Sequence, residues 1–194
     1  MSKIFCLLGK SATGKDTVYK RLCELEKDRL KNIVTYTTRP IRAGEKEGLE
    51  YHFTDEDGYK NFQLEGKIIE ERAYNTVHGV WRYFTVDDGQ IAESGDYIII
   101  GTLQMYSGLV KFYGSDRVVP IYIDVDDGER LSRALKREKK QENPKYQELC
   151  RRFLADCEDF SDEKLRECRI EKHFMNNEIE TCVDEIRKYI SSAL

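Results

Sequence analysis

The sequence predicts an α/β domain built on a parallel sheet, and three observations carry that prediction. Ile4-Phe5-Cys6-Leu7-Leu8, Tyr97 to Gly101 and Val118 to Asp124 are apolar runs that do not alternate with polar residues. Such runs suit strands buried on both faces, as parallel strands are. Each run is followed by a stretch with helical spacing, which is the rhythm of strand–helix–strand crossovers. The first strand and its helix are joined by a glycine-bounded turn, Gly9 to Gly14.

The elements follow in order. After the turn, Val18, Leu22 and Leu25 fall on one face of a helix over 16–27. Ile33 to Tyr36 predicts a second short strand, and residues 37–53 are turn-rich and charged, ending in Tyr51-His52-Phe53. Thr54 to Leu64 predicts a short helix, with Thr54 and Asp57 spaced as an N-terminal capping pair. Ile68 to Tyr74 and Trp81 to Thr85 predict two strands joined by a loop with Asn75, His78 and Gly79. Helices are predicted over 102–113, 127–139, 144–159 and 178–192, with a short apolar piece at His173-Phe174-Met175. Strands that look antiparallel interrupt the βα rhythm between 37 and 85, so this region reads as an insertion into one domain.

Composition narrows the function classes. The chain has 194 residues, and its formal net charge of −4 argues against general nucleic-acid binding. A local basic pocket remains compatible with that total. No stretch approaches the ~20 apolar residues that span a bilayer, and the N-terminus lacks a cleavage-site pattern, so the expected location is cytoplasmic. The six cysteines form no C-x-x-C pair, which argues against a structural zinc site and for buried or half-buried thiols in a reducing compartment.

Chemistry enters at Gly9-Lys10-Ser11-Ala12-Thr13-Gly14-Lys15, which satisfies G-x-x-x-x-G-K. Glycines let the backbone curl so that successive N–H groups share one concavity, and the following helix adds its N-terminal partial charge. Lys15 can reach the outer phosphates of a bound triphosphate. The next position is usually a Ser or Thr that ligates magnesium. Here it is Asp16, followed by Thr17, and either could support the metal. Gly9, Ser11, Ala12, Thr13, Gly14, Lys15, Asp16 and Thr17 are therefore the expected triphosphate-binding residues, the triphosphate being ATP in the family resemblance given below.

The segment from Thr35 to Phe53 adds a second ligand. Arg39 and Arg42 lie three apart, with Glu45 three further on and Tyr51 beyond. Guanidinium forks grip phosphate, and a tyrosine hydroxyl can add a donor.

Together the loop, the run T-T-R-P-x-R-x-G-E-x-x-G-x-E-Y-H-F and the order of elements resemble the guanylate kinase family over nearly the whole chain. The resemblance implies a three-layer P-loop kinase fold with a core of residues 1–34 and 95–194. An acceptor-binding subdomain would be inserted at about 35–88, with a helical lid at about 134–150. It implies magnesium-dependent transfer of the ATP γ-phosphoryl group to GMP, with small nucleotides as partners and a monomer or homodimer. Thr35, Arg39, Arg42, Glu45, Tyr51, Glu70, Tyr83 and Thr85 match acceptor-site residues, with Glu70 resembling the carboxylate that accepts from guanine. Arg133 and Arg137 resemble lid arginines that join Lys15 and Arg39 in catalysis, Arg151 or Arg152 resembles a third, and Asn176 resembles a residue near the adenine.

Two departures qualify the resemblance. The family's acidic run after the third core strand is here Ile98-Ile99-Ile100-Gly101-Thr102-Leu103-Gln104, and the segment 77–85 is longer than the family's. Two alternatives follow: a kinase with a different nucleotide or phosphorylated small molecule as acceptor, and a non-catalytic binding module of the same fold.

Overall fold

The computed structural model describes residues 2–76 and 79–194. At its centre five short strands run parallel, in the order β2 (Leu30–Asn32), β7 (Asp96–Ile100), β1 (Ile4–Leu8), β8 (Val118–Asp124) and β9 (His173–Met175). The unbroken apolar run of β1 divides its side chains between two cores. Ile4, Cys6 and Leu8 join one cluster with α3 (Leu103–Tyr113), while Phe5 and Leu7 join another with α1 (Lys15–Leu25) and α7 (Ile179–Ala193). A strand alternates its side chains, so burial of both sets requires helices on both faces. The result is the predicted three-layer arrangement.

A second sheet, in the order β4 (His52–Phe53), β3 (Tyr36–Thr37), β6 (Gly79–Val86) and β5 (Ile68–Thr76), occupies the inserted region. Its β5–β6 pair is antiparallel, as expected. Of the loop predicted between them, Val77 and His78 lie outside the described residues. Tyr59 on α2 (Glu56–Leu64) packs with Phe84 and Val86 into a small core of its own. Contact with the main core runs through α3, where a Cβ at Gly108 would lie 2.4 Å from Glu70 Cβ on β5. Glycine there lets the helix backbone approach the second sheet closely.

Three local expectations need correction. The strand predicted at Ile33–Tyr36 is split: β2 ends at Asn32, and Tyr36 begins β3 in the other sheet. The Gln90 side chain takes both backbone groups of Val34, through Val34 N–H (2.9 Å) and the Val34 carbonyl (3.2 Å), so neither is left for a ladder. The cap of α2 is Asp55, whose carboxylate accepts from Gly58 N–H at 2.8 Å, and Thr54 instead spends its backbone N–H on the Thr37 carbonyl. Cys150 is exposed on α5 (Tyr146–Asp159), although Cys6 and Cys182 are buried and the other three half-buried. One helix, α6 (Asp162–Glu167), was not anticipated; the helix at 127–139 is observed as α4 (Asp127–Glu138).

Candidate functional site

The loop between β1 and α1 owes its shape to residues that tolerate unusual backbone. Gly14 sits at φ +84°, and a Cβ there would lie 2.5 Å from Asn176 Nδ2. A Cβ at Gly9 would lie 2.6 Å from the Ile123 carbonyl oxygen. Neither contact can be relieved cheaply, so both positions demand glycine. Thr13 is fully buried and donates its hydroxyl to the Lys10 carbonyl at 2.9 Å.

Asn176, just after β9, supports this loop from below. It is buried, donates Nδ2 to the Thr13 carbonyl at 2.7 Å and its backbone N–H to the Asp124 carbonyl at 2.9 Å. Arg133 on α4 in turn donates to the Asn176 carbonyl at 3.1 Å and pairs with Glu129 at 2.9 Å. The structure therefore brings Asn176 and Arg133 to the loop through residues lying more than a hundred positions downstream.

A further contact was not legible beforehand. Ser11 N–H donates to the Asp156 carboxylate of α5 at 2.8 Å, so a loop N–H already holds an anionic oxygen. Arg130, buried on α4, ties the same carboxylate (3.4 Å) to the Ser11 carbonyl (3.3 Å) and to Asp127 (2.9 Å), with Phe153 beneath its guanidinium at 4.1 Å. Burial works against the Asp127 carboxylate, but Arg130 and Lys10 outweigh it and hold the group below its ordinary value. Arg137 and Arg152 line a narrow crevice beside Ser11 and Asp156. Arg151 turns away to an exposed pair with Glu148 at 2.7 Å.

Lys15 lines a cavity of about 490 Å³ together with Gly9, Ser11, Thr102, Gln104 and, from the second sheet, Tyr74. The Asp16 carboxylate is exposed and 3.7 Å from Lys15 Nζ. Thr17 lines a different groove, shared with Lys20, Arg21 and Glu24 of α1 and residues 177–180. A hard oxygen donor beside the loop lysine suits a magnesium ion that takes one or two carboxylates and draws its other ligands from phosphate and water. On that chemistry Asp16 fits the metal better than Thr17. Among the described residues there is no cluster of three His, Cys, Asp or Glu side chains arranged for a metal.

The Arg39 side chain is 2% exposed and forms a two-pronged pair with Glu45, Nη1 to Oε2 at 2.9 Å and Nη2 to Oε1 at 2.8 Å. These bonds from Arg39 hold the Glu45 carboxyl below its usual range. Glu45 also accepts from Arg42 N–H at 2.8 Å, while the Arg42 side chain stays exposed. The Arg39 guanidinium lies 5.4 Å from the Tyr51 ring, whose hydroxyl pKa is raised chiefly by burial. Tyr51 meets Tyr83 edge-on at 5.6 Å, and Tyr83 meets Tyr74 at 5.7 Å. Thr35 gives its carbonyl to His52 N–H at 2.8 Å, which pins the entry to the segment.

Glu70 and Thr85 are buried and meet directly, Thr85 Oγ1 donating to Glu70 Oε1 at 2.7 Å. Glu70 also carries a partner that the sequence motifs do not mark. Arg72, two residues along the same strand, donates Nε to Oε2 at 3.1 Å and Nη2 to Oε1 at 3.2 Å. The strand period of two could have found it, because residues i and i+2 share a face. Past β7, Thr102 caps α3 by accepting from Met105 N–H at 3.2 Å, and Gln104 donates across to the Glu71 carbonyl at 3.2 Å. Neutral side chains thus occupy this carboxylate-free stretch, as the sequence indicates.

The fold and the loop define a protein of the P-loop kinase type. A sequence model of the family described as Guanylate kinase matches residues 1–193. The guanylate kinase of Mycoplasma genitalium is 31% identical over 137 residues, which is 70% of this chain and 55% of that protein. That of Anaplasma phagocytophilum is 33% identical over 135 residues, covering 68% of this chain and 62% of the relative. The crystal structure of the Anaplasma phagocytophilum guanylate kinase superposes with a TM-score of 0.66 at 21% identity, over 98% of this chain and 85% of that one. The chain belongs to the guanylate kinase family. The aligned region spans only about half to three-fifths of the lengths of these curated relatives. No helix among the described residues is long and apolar enough to cross a membrane.

Proposed function

We propose that this protein transfers the γ-phosphoryl group of ATP to a nucleoside monophosphate, with GMP as an acceptor. One observation carries the reading: Lys15 and the loop share a single cavity with Tyr74 of the second sheet, so donor and acceptor ends open onto one space. In-line phosphoryl transfer needs that adjacency more than it needs a protein nucleophile.

In this reading the N–H groups of residues 9–15 and Lys15 hold the triphosphate. Asp16 would hold magnesium, with Thr17 the alternative ligand, and a bound ion would supply positive charge against the donor phosphates. Arg39, Arg42 and Tyr51 receive the acceptor phosphate, and Glu45 keeps the Arg39 fork oriented. Thr35, Glu70, Tyr83 and Thr85 line the rest of the acceptor site. The core is residues 1–34 and 95–194, the acceptor subdomain about 35–88, and the lid about 134–150. Both on α4, Arg133 stands just before that lid and Arg137 within it. Closure would bring Arg137 and Arg152 toward the transferring group and exclude water. Asn176 acts by holding the loop.

Replacing Lys15 tests the reading. Lys15→Met should lower the rate of ADP formation by at least about a thousandfold while leaving the far-UV CD spectrum unchanged. Turnover within a few-fold of wild type would sink it. The non-catalytic alternative is less favoured because both loop glycines and Lys15 are present.

A further inference from the structure

Glu70 is a buried carboxylate with little hydrogen-bonding capacity to spare. A carboxylate offers about four acceptor sites. Thr85 Oγ1, Arg72 Nε and Arg72 Nη2 take three of them, at 2.7, 3.1 and 3.2 Å. Recognition of guanine by a carboxylate needs two adjacent acceptors, for the ring N–H and the exocyclic amino group. Glu70 can supply them only if Arg72 is expelled, which would leave a guanidinium without its ion-pair partner.

Arg72 is also placed to contact a ligand. Its side chain is 11% exposed. It lines an aromatic groove of about 370 Å³ with Tyr51, Tyr74, Trp81 and Tyr83. Tyr74 is common to this groove and to the cavity that holds Lys15. Two of the five guanidinium N–H groups go to Glu70, leaving Nη1 and the second N–H of Nη2 as donors. The other polar groups nearby do not restore the paired acceptors of a carboxylate: Thr102 caps its helix, and Gln104 commits its Nε2 to the Glu71 carbonyl and offers a single amide oxygen.

We infer that Arg72 is the base-reading residue of the acceptor site. It donates to a carbonyl oxygen on the base, so the site selects 6-oxopurine monophosphates and does not read the 2-amino group of guanine. This rests on the kinase reading above for the identity of the site. A base with an amino group at the 6-position presents a donor to a donor and is rejected. Hypoxanthine and guanine present the same carbonyl and are accepted alike.

The test compares GMP, IMP and AMP by calorimetric Kd and by kcat/KM for ADP formation, in wild type, Arg72→Gln and Arg72→Lys. IMP differs from GMP only by the amino group. Wild type should treat GMP and IMP within about tenfold and disfavour AMP by at least about a hundredfold. In Arg72→Gln the AMP penalty should shrink at least tenfold, and Glu70, now freed, should begin to favour GMP over IMP. Arg72→Lys keeps a donor and should retain most of the AMP penalty. A wild-type preference for GMP over IMP beyond tenfold overturns the proposal, and so does an AMP penalty unchanged in a folded Arg72→Gln. If the variants do not fold, the wild-type ratios decide alone. Binding in the expected order without ADP formation would refute the kinase reading and leave the role of Arg72 standing; absence of binding by all three nucleotides would overturn both.

Discussion

The loop at residues 9–15 and the sheet at 36–86 face one cavity but are held in different ways. The loop is fixed within a few consecutive residues: glycines at forced positions, a buried threonine and the Thr13 carbonyl tied to Asn176. It sits on a sheet buried on both faces, with two extended apolar clusters beneath it. The second sheet is fixed mainly by side chains. Its apolar core is Tyr59, Phe84 and Val86. Around that core stand Arg39–Glu45, Glu70–Arg72 and Arg82–Glu56, the last with the Arg82 guanidinium 4.3 Å from the Tyr59 ring. A region with few buried apolar contacts should open at lower free energy than the sheet it adjoins. In the proposed reading the second sheet is the acceptor side, and a part that moves is best drawn from the less stable end of the molecule.

Removing one aromatic ring from each core should separate the two regions most sharply. Phe174 and Phe84 are both fully buried, so truncation to alanine should cost about 3–5 kcal/mol in each case. The single tryptophan, Trp81, lies on β6 and reports on the second sheet. In Phe174→Ala, thermal melts followed by Trp fluorescence and by far-UV CD should fall together. In Phe84→Ala the fluorescence transition should precede the CD transition, with ATP affinity retained. Coincident early transitions in Phe84→Ala would show that the second sheet has no separate stability.

A smaller effect should follow from the carboxylates. The Glu45 pKa is lowered by its bonds from Arg39, and that of Glu47 by the Phe53 N–H and His52. A carboxylate whose folded pKa lies below its unfolded value of about 4.3 contributes its full stabilisation above that value. The contribution is lost as pH falls through the lowered folded value. Trp81 fluorescence should therefore change before far-UV CD on acidification below about pH 4.5. In Glu45→Gln the acid transition should be shallower, and the neutral-pH affinity for a monophosphate should fall because Arg39 loses its orienting partner. An acid transition identical to wild type would contradict the assignment of Glu45 to the insert's pH dependence.

How legible each region was follows from the same contrast. The β1–loop–α1 unit could be read because all its requirements lie in consecutive residues: an apolar run, two glycines, Lys15 and a helix face. The segment from Thr35 to Phe53 could be singled out because its motif is also local. What could not be read depends on long-range pairing. Asp156 meets Ser11 across 145 positions, and Gln90 ends a strand 56 positions away by claiming Val34. Periodicity carries no trace of such side-chain-to-backbone bonds. Arg72 is the intermediate case. Its position facing Glu70 was available from strand alternation, but its effect on the carboxylate depended on burial and on Thr85 arriving from β6.

The most direct measurement is ADP formation by the wild-type protein with ATP and magnesium, with and without added GMP. The account predicts that ADP appears with GMP, one for each GDP formed, and falls to a trace when the monophosphate is withheld. ADP formation at the same rate without any monophosphate, or none with GMP or any other acceptor tested, would contradict it.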